Sequence, residues 1–394
     1  MRTYLLSPAW TWFIYIGGGL LALCFGYVTI MPFVDESMDP SSALFFVPLG
    51  LAMMAFMILG IRDAYRGRLE VYSDRFVQYT WRREKQLLHS EVKGFRQIPQ
   101  YILIESNNPE KKGLKISTYY GNLDELFYFL EQEFTDLDAQ QYAEEEQKIL
   151  DDPSLGLDTA ERAQRLEQAR LASQILNYAG LAILLWLLFY PTPYVWAMWA
   201  AIILPIITLP FIFIYKGIIR FDELNSSAHP SVFVAMVTPS LALALRAFLD
   251  YDLLHYRNIW LPIGIITLAF LGIIVRGTGE FDFQKPREYF KILGISLFFA
   301  AYGFGAYVFL NCYYEDGEPY AYTAEVLDQR ISDGSRYTSY YLELRSEEGP
   351  NFIEEVEVTE DLYYTLDTGD QVGVFLWPGR LGTPWRMVNA LSDY

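Results

Sequence analysis

Two cysteines and three histidines are all that 394 residues hold of the side chains most used for disulfides and metal ligation. Cys24 and Cys312 lie far apart, in or at the end of apolar stretches, so no disulfide framework is expected. His89, His229 and His255 are scattered, and the topology argued below divides them between two sides of a membrane, which leaves no histidine cluster. The chain also lacks a phosphate loop, an H-E-x-x-H pair and a G-x-S-x-G elbow, so the common motif-bearing enzyme classes find no support. Positive charge is scarce: 30 Lys and Arg against 48 Asp and Glu give a net charge of -18. Nucleic acid is excluded as a partner, because displacing counterions from phosphates requires a basic face.

What the chain has in abundance is apolar length. Hydrophobic residues make up 52% and aromatics 17%, too apolar for an ordinary soluble domain of this size. A spanning helix needs about 20 mostly apolar residues, and such runs occur at residues 10–31, 43–61, 175–190, 194–215, 232–249, 259–275 and 290–311. That makes about seven spans. The first is too long for a signal-peptide core and no A-x-A-like cleavage site follows it, so it reads as a retained span.

Lys and Arg in the short connections give the orientation, since cytoplasmic loops retain positive charge. Arg62, Arg66 and Arg68 follow the second run, Lys216 and Arg220 the fourth, and Arg276, Lys285, Arg287 and Lys291 lie between the sixth and seventh. The opposite connections at 32–42 and 191–193 have neither residue, and the one after the fifth run has only Arg257. The expectation is an amino terminus in the cytoplasm and a carboxyl terminus outside. Trp10, Trp12, Tyr190, Tyr194, Trp196, Trp199, Trp260 and Tyr313 sit at run ends, as headgroup-level anchors do. Gly17, Gly18, Gly19, Gly26, Gly294, Gly303 and Gly305 are expected to let helices approach closely.

Between the second and third runs the pattern changes to short β-type segments at 69–72, 76–81, 86–89, 101–105 and 114–117, separated by turn residues such as Ser73-Asp74 and Asn107-Asn108-Pro109. A helix then begins at Asn122, a natural N-cap, with Glu125 placed to complete a capping box. Leu123, Leu126, Phe127, Leu130 and Phe134 form one apolar stripe fit to plug an open sheet or barrel. The stretches 67–76, 91–95 and 122–126, in the order strands then one helix after two spans, resemble the bacterial pleckstrin-homology-like domain of small membrane proteins. That resemblance implies a ligand-binding or assembly module and leaves the ligand open. Residues 62–135 hold twelve Lys and Arg against eleven Asp and Glu, so a strong polybasic lipid clamp is not expected. Arg66, Arg68, Arg82, Arg83 and Lys85 read as a solvated rim of charge, with a local headgroup contact as the other reading. Two charged helical stretches follow, broken at Asp152-Pro153. The second, capped by Asp158 with a Glu161 to Arg165 pair, is expected to run into the third span as a stalk.

Beyond the last run, segments at 322–329, 337–345, 353–358, 371–377 and 385–390 read as five short strands, the pattern of a small closed barrel of OB or SH3-like type. The stretches 340–344, 366–374 and 378–379 are similar to a small β domain of unknown function attached to bacterial membrane spans, a likeness that implies no activity. From residue 313 onward seventeen acidic residues oppose five arginines and no lysine, a net of -12 that favours cationic partners. Glu354, Glu355, Glu357, Glu360 and Asp361 are oxygen donors of the kind Ca²⁺ takes, but without EF-hand spacing they read as a solvated acidic face.

The expected fold class is a multi-pass α-helical membrane protein with a cytoplasmic domain that resembles pleckstrin-like modules and a C-terminal extracytoplasmic OB/SH3-like barrel. Its expected parts are a two-span hairpin (1–61), the pleckstrin-like domain (62–135), a charged stalk (136–174), a five-span bundle (175–312) and the acidic β domain (313–394). No catalytic, cofactor or metal residue is assigned. The nearest to a catalytic constellation is Arg246, Asp250, Asp252 and His255 at the outer end of the fifth span, where a simple Arg246–Asp250 pair one turn apart is the plainer reading. The expected role is a non-enzymatic scaffold or sensor of a bacterial plasma membrane, in contact with lipids and other envelope proteins. Two alternatives share the sequence: a transporter or channel using Pro205, Pro210 and Pro239 with Thr208, Thr238 and Ser240 nearby, and a membrane enzyme at the Arg246 corner.

Overall fold

The computed structural model describes residues 1–34, 40–221, 226–333, 338–346 and 353–390. The chain divides into two compact units, residues 1–145 with 226–228, and residues 146–225 with 229–394. Among the described residues seven helices are long and apolar enough to cross a membrane, two in the first unit and five in the second.

The first unit begins with a strand that the sequence pattern does not announce, β1 (Arg2–Leu5), followed by the helical hairpin α1 (Pro8–Val34) and α2 (Ala43–Arg66). Almost none of the hairpin's residues is fully buried within the protein, as expected of helices whose solvent is lipid. Six strands come next: β2 (Arg68–Val71), β3 (Arg75–Tyr79), β4 (Glu84–Leu88), β5 (Val92–Ile98), β6 (Tyr101–Ser106) and β7 (Leu114–Ser117). They form antiparallel sheets in the orders β1-β2-β3-β4 and β5-β6-β7. Because Arg2 pairs with Val71 and Leu5 with Arg68, the whole hairpin is inserted between the first two strands of one sheet. Tyr4 is thereby drawn into the core with Leu69, Phe76, Phe95, Ile102 and Ile116.

Helix α3 (Leu123–Glu133) closes that core with Leu126 and Leu130, both fully buried, while Leu123, Phe127 and Phe134 pack at its margin. The expected stripe is present, but the expected capping box is not. Asn122 adopts the left-handed conformation, φ 57° and ψ 34°, and its side chain makes no cap bond. Glu125 turns instead to Arg2 at 3.0 Å, an interaction that exists only because β1 lies alongside. Helix α4 (Leu137–Asp151) follows and ends where expected, with the Asp152 carboxylate accepting from the Ser154 amide at 2.9 Å.

In the second unit, α5 (Thr159–Phe189) is the expected continuous helix, started by Asp158 accepting from the Glu161 amide at 2.7 Å. Its first turns do not stand free as a stalk. Leu166 and Ala169 are buried, and Arg170 reaches Glu146 at 2.9 Å. Arg165 donates to the Leu155 and Ile214 carbonyls in place of the expected pairing with Glu161. The bundle continues through α6 (Tyr194–Ile214), α7 (Phe233–Asp250), a two-residue strand β8 (Asp252–Leu253), α8 (Trp260–Thr278) and α9 (Pro286–Tyr313). Glycines do bring these helices together, though not all those expected. A Cβ on Gly305 would meet α7 backbone at 2.7 Å and one on Gly180, in α5, would meet α7 at 2.8 Å, whereas Gly17, Gly19 and Gly294 face open space.

Five strands and a short helix complete the chain: β9 (Tyr320–Asp333), β10 (Thr338–Ser346), β11 (Ile353–Val358), α10 (Glu360–Thr365), β12 (Gln371–Trp377) and β13 (Trp385–Ala390). The sheet order is β11-β10-β9-β12-β13-β8, antiparallel throughout. This is a curled half-barrel of six strands with β11 and β8 at its edges, where a closed barrel of five was expected. The sixth strand comes from the α7–α8 connection. Val326, Leu342 and Val372 are fully buried at the centre of its core, with Tyr363 of α10 over one end.

Candidate functional site

The four residues of the Arg246 corner do not converge. Arg246 and Asp250 form the expected pair, Nε to Oδ2 at 3.3 Å, with their side chains only 22% and 23% exposed. Asp252, two residues on and inside β8, turns away to bind the Arg386 guanidinium on β13. His255 is exposed. The arrangement therefore pairs two carboxylates with two different arginines and leaves the imidazole to solvent. Because the Arg246–Asp250 pair is largely buried, removing one partner strands a charge, whereas an exposed pair contributes little. Asp250→Asn alone should destabilise the protein more than Arg246→Met combined with Asp250→Asn, with a coupling of about 0.5–3 kcal/mol. His255→Ala should leave both melting temperature and any phenotype of the gene unchanged; a lost phenotype at normal abundance would put chemistry back at this corner.

The other histidines are structural neighbours of aromatic and backbone groups. His89 lies among Phe76, Phe129 and Phe134, ring centroids 4.7, 5.9 and 5.4 Å away, and burial among them lowers its pKa below the usual imidazole range. His229 Nδ1 donates to the Ile218 carbonyl at 2.9 Å. Among the described residues no group of three or more His, Cys, Asp or Glu side chains is placed to hold a metal ion. Of the acidic run on β11 and α10, Glu355 is engaged by Arg330 at 2.7 Å.

Prolines leave the bundle helices continuous. α6 runs unbroken through Pro205 and Pro210, and α7 through Pro239. The hydroxyls of Thr208 and Thr238 each donate to a carbonyl four residues earlier in their own helix, at 2.8 Å, and that of Ser240 does the same to Met236. These groups are spent on the local backbone and line no break of the kind that exposes carbonyls to a substrate. An apolar cavity of about 640 Å³ opens between α5 and α6, walled by Trp186, Trp196, Trp199, Ile203 and Ile207. It offers no ionisable group for acid or base work.

More is built where the C-terminal sheet meets the bundle. Tyr307, Cys312, Ala247, Ile259 and Ile263 share one core with Leu253 of β8 and Trp385 of β13, and Trp377 stacks on Trp385 at 4.5 Å. Asn311, wholly buried near the end of α9, holds the β12–β13 connection: its Nδ2 donates to the Thr383 carbonyl at 2.8 Å and its Oδ1 accepts from the Leu381 and Thr383 amides at 2.9 and 3.3 Å. Tyr307 Oη adds bonds to the Leu381 carbonyl and to the Thr383 hydroxyl. Asn258 donates to the Gly382 carbonyl at 2.7 Å from the α7–α8 side. The connection itself turns through Gly379 and Gly382, whose φ of 75° and 81° suits residues without a Cβ. The sheet is thus an extension of α7, α8 and α9. Nothing in the one-dimensional pattern marks Asn311 except its being a lone amide at the end of an apolar run.

In the first unit the basic residues singled out from the sequence do gather. Arg66, Arg68, Arg82 and Arg83 line one open cleft of about 410 Å³, with Trp81 and Glu84, and Lys85 lines the adjoining one with Asp63 and Tyr120. Comparison with protein-family models, with curated proteins and with solved structures returned no match to this chain.

Proposed function

We propose that this protein is a non-enzymatic scaffold or sensor of a bacterial plasma membrane, with its amino terminus and pleckstrin-like module in the cytoplasm and its acidic sheet outside. The observation that carries the reading is the clamp at Asn311 together with strand β8. A ligand or partner seated on the half-barrel would act directly on α7, α8 and α9, because the Asn311 clamp and β8 join the sheet to them. Enzymes need gathered acid, base or metal groups, and transporters with broken helices need exposed backbone. Thr208, Thr238 and Ser240 instead bond to their own helix backbone, and Asn311 and Tyr307 to the clamp. Four strands plus three, closed by a C-terminal helix, support kinship of the first unit with pleckstrin-like domains, and the curled antiparallel sheet supports a relation to small barrels of OB or SH3 type. The Lys and Arg pattern of the connections supports the orientation.

Two measurements test it. Single cysteines in a background lacking Cys24 and Cys312 should react with an impermeant maleimide in intact cells at Glu318 and not at Glu110; the reverse pattern would overturn the orientation. A photo-crosslinker carried at Glu318 or Glu110 in native membranes should capture the same partner in repeated preparations. Solute flux through liposomes holding the purified protein, with no captured partner, would replace the scaffold by a transporter.

A further inference from the structure

The turn between β3 and β4 is held against the end of α2 by a specific set of bonds. The Trp81 amide donates to Asp63 Oδ1 at 2.9 Å, and the Thr80 hydroxyl donates to the Arg83 carbonyl at 2.8 Å while accepting from the Arg83 amide at 3.1 Å. The turn is thereby tied to α2, and two guanidinium groups lie near the Trp81 ring, Arg62 at 5.9 Å and Arg82 at 5.7 Å from its centroid. Arg66, the last residue of α2, Arg83 and the carboxylate Glu84 also line the cleft. Arg68 alone among them is neutralised, by Glu70 at 2.8 Å, and it lies over the Tyr79 ring. No carboxylate within ion-pair distance serves Arg62, Arg66, Arg82 or Arg83 among the described residues, although acidic residues outnumber basic ones in this chain.

Like charges converging on one cleft repel one another, and Glu84, which lines it with them, forms no ion pair with any of them among the described residues. The geometry points to a binding site for a phosphate-bearing anion in this cleft, seated between the end of α2 and the β3–β4 turn, with Arg66, Arg82 and Arg83 supplying the charge. Arginine rather than lysine lines it, and a planar guanidinium can give a phosphate two donors at once. Position supplies the nearest source. On the reading that α2 crosses a bilayer, its final residue lies at headgroup level, where lipid phosphates are dense and where an indole such as Trp81 is at home. A free phosphate ester would meet the same groups. The inference deepens the scaffold reading by giving the first unit a ligand, and it requires only that α2 spans a membrane, in either direction.

Hydrogen exchange on the full-length protein tests it in three settings: nanodiscs of phosphatidylcholine, the same discs with phosphatidylglycerol added, and phosphatidylcholine discs in buffer with inorganic phosphate. Amides of residues 80–83 should exchange more slowly with the anionic lipid, on the order of fivefold for each arginine engaged, and the slowing should fade as salt rises. Slowing by inorganic phosphate alone supports the site and assigns it to a soluble phosphate; slowing by phosphatidylglycerol alone assigns it to the lipid. The variant Arg82→Gln/Arg83→Gln changes two exposed side chains and should lose the effect while β5 to β7 exchange as before. Equal exchange in all three settings, or undiminished slowing in the variant, would overturn the site. Neither result bears on the maleimide labels at Glu110 and Glu318, so the two proposals fail separately.

Discussion

Replacing Asn311 by leucine should destabilise the second unit by roughly 3–5 kcal/mol, since each of its buried partners left without a hydrogen bond costs about 1–3 kcal/mol. Three backbone groups lose their partner together: the amides of Leu381 and Thr383 and the carbonyl of Thr383. The two Thr383 groups cannot turn to water, because Asn311 and Thr383 are wholly buried. The loss should also be local in its first effect. The β12–β13 connection carries Arg380, which is held by Asp316 at 2.8 Å and whose amide donates to the Asn311 carbonyl. Trypsin cleavage after Arg380 should accelerate in the variant well below the temperature at which the bundle melts. Tyr307→Phe removes one hydroxyl from the same clamp and should cost only about 1 kcal/mol. Equal melting and equal cleavage in Asn311→Leu and the parent would mean that the sheet is not clamped there.

In the first unit, Leu126→Ala should cost about 2–5 kcal/mol, the range for deleting a large aliphatic side chain from a closed core. Leu126 is fully buried where α3 meets both sheets, and its cluster includes Phe76 and Phe95 from different sheets. A cavity there cannot collapse easily, because strands on two sides are held by their own ladders. Tyr128 is two residues along the same helix but 65% exposed, so Tyr128→Ala should stay within about 0.5 kcal/mol. The comparison is read as the loss of amide protection in β5 to β7 on the full-length protein. A loss in Tyr128→Ala as large as that in Leu126→Ala would show that burial does not govern the result, since alanine favours the helix at both positions.

The seven apolar helices, the stripe on α3 and strands such as β7, β11, β12 and β13 could be read from the chain directly, with bounds that agree to the residue for those four strands. Each is a segment whose own pattern reports its burial: about 20 apolar residues have one stable state in lipid, and a two-residue alternation has one in a half-buried sheet. The Arg246–Asp250 pair was legible for the same reason, being one turn apart on one helix. Other features depend on partners distant in sequence. β1 is four residues long and becomes a strand only by pairing with β2 across a hairpin of two helices, and β8 has two residues and exists because β13 lies beside it. Glu125 looked like half of a capping box, but Arg2 arrives with β1 and takes it. Gathering Arg66 with Arg82 and Arg83, and Asn311 with Thr383, likewise required the chain to return on itself. Local sequence determined which segments are helix or strand and which face each one buries, because those preferences are set within a few residues. Tertiary structure alone decided the edges of the sheets, the clamp between sheet and bundle and the arginine cleft, because hydrogen bonds and charges pair through space without regard to their separation along the chain.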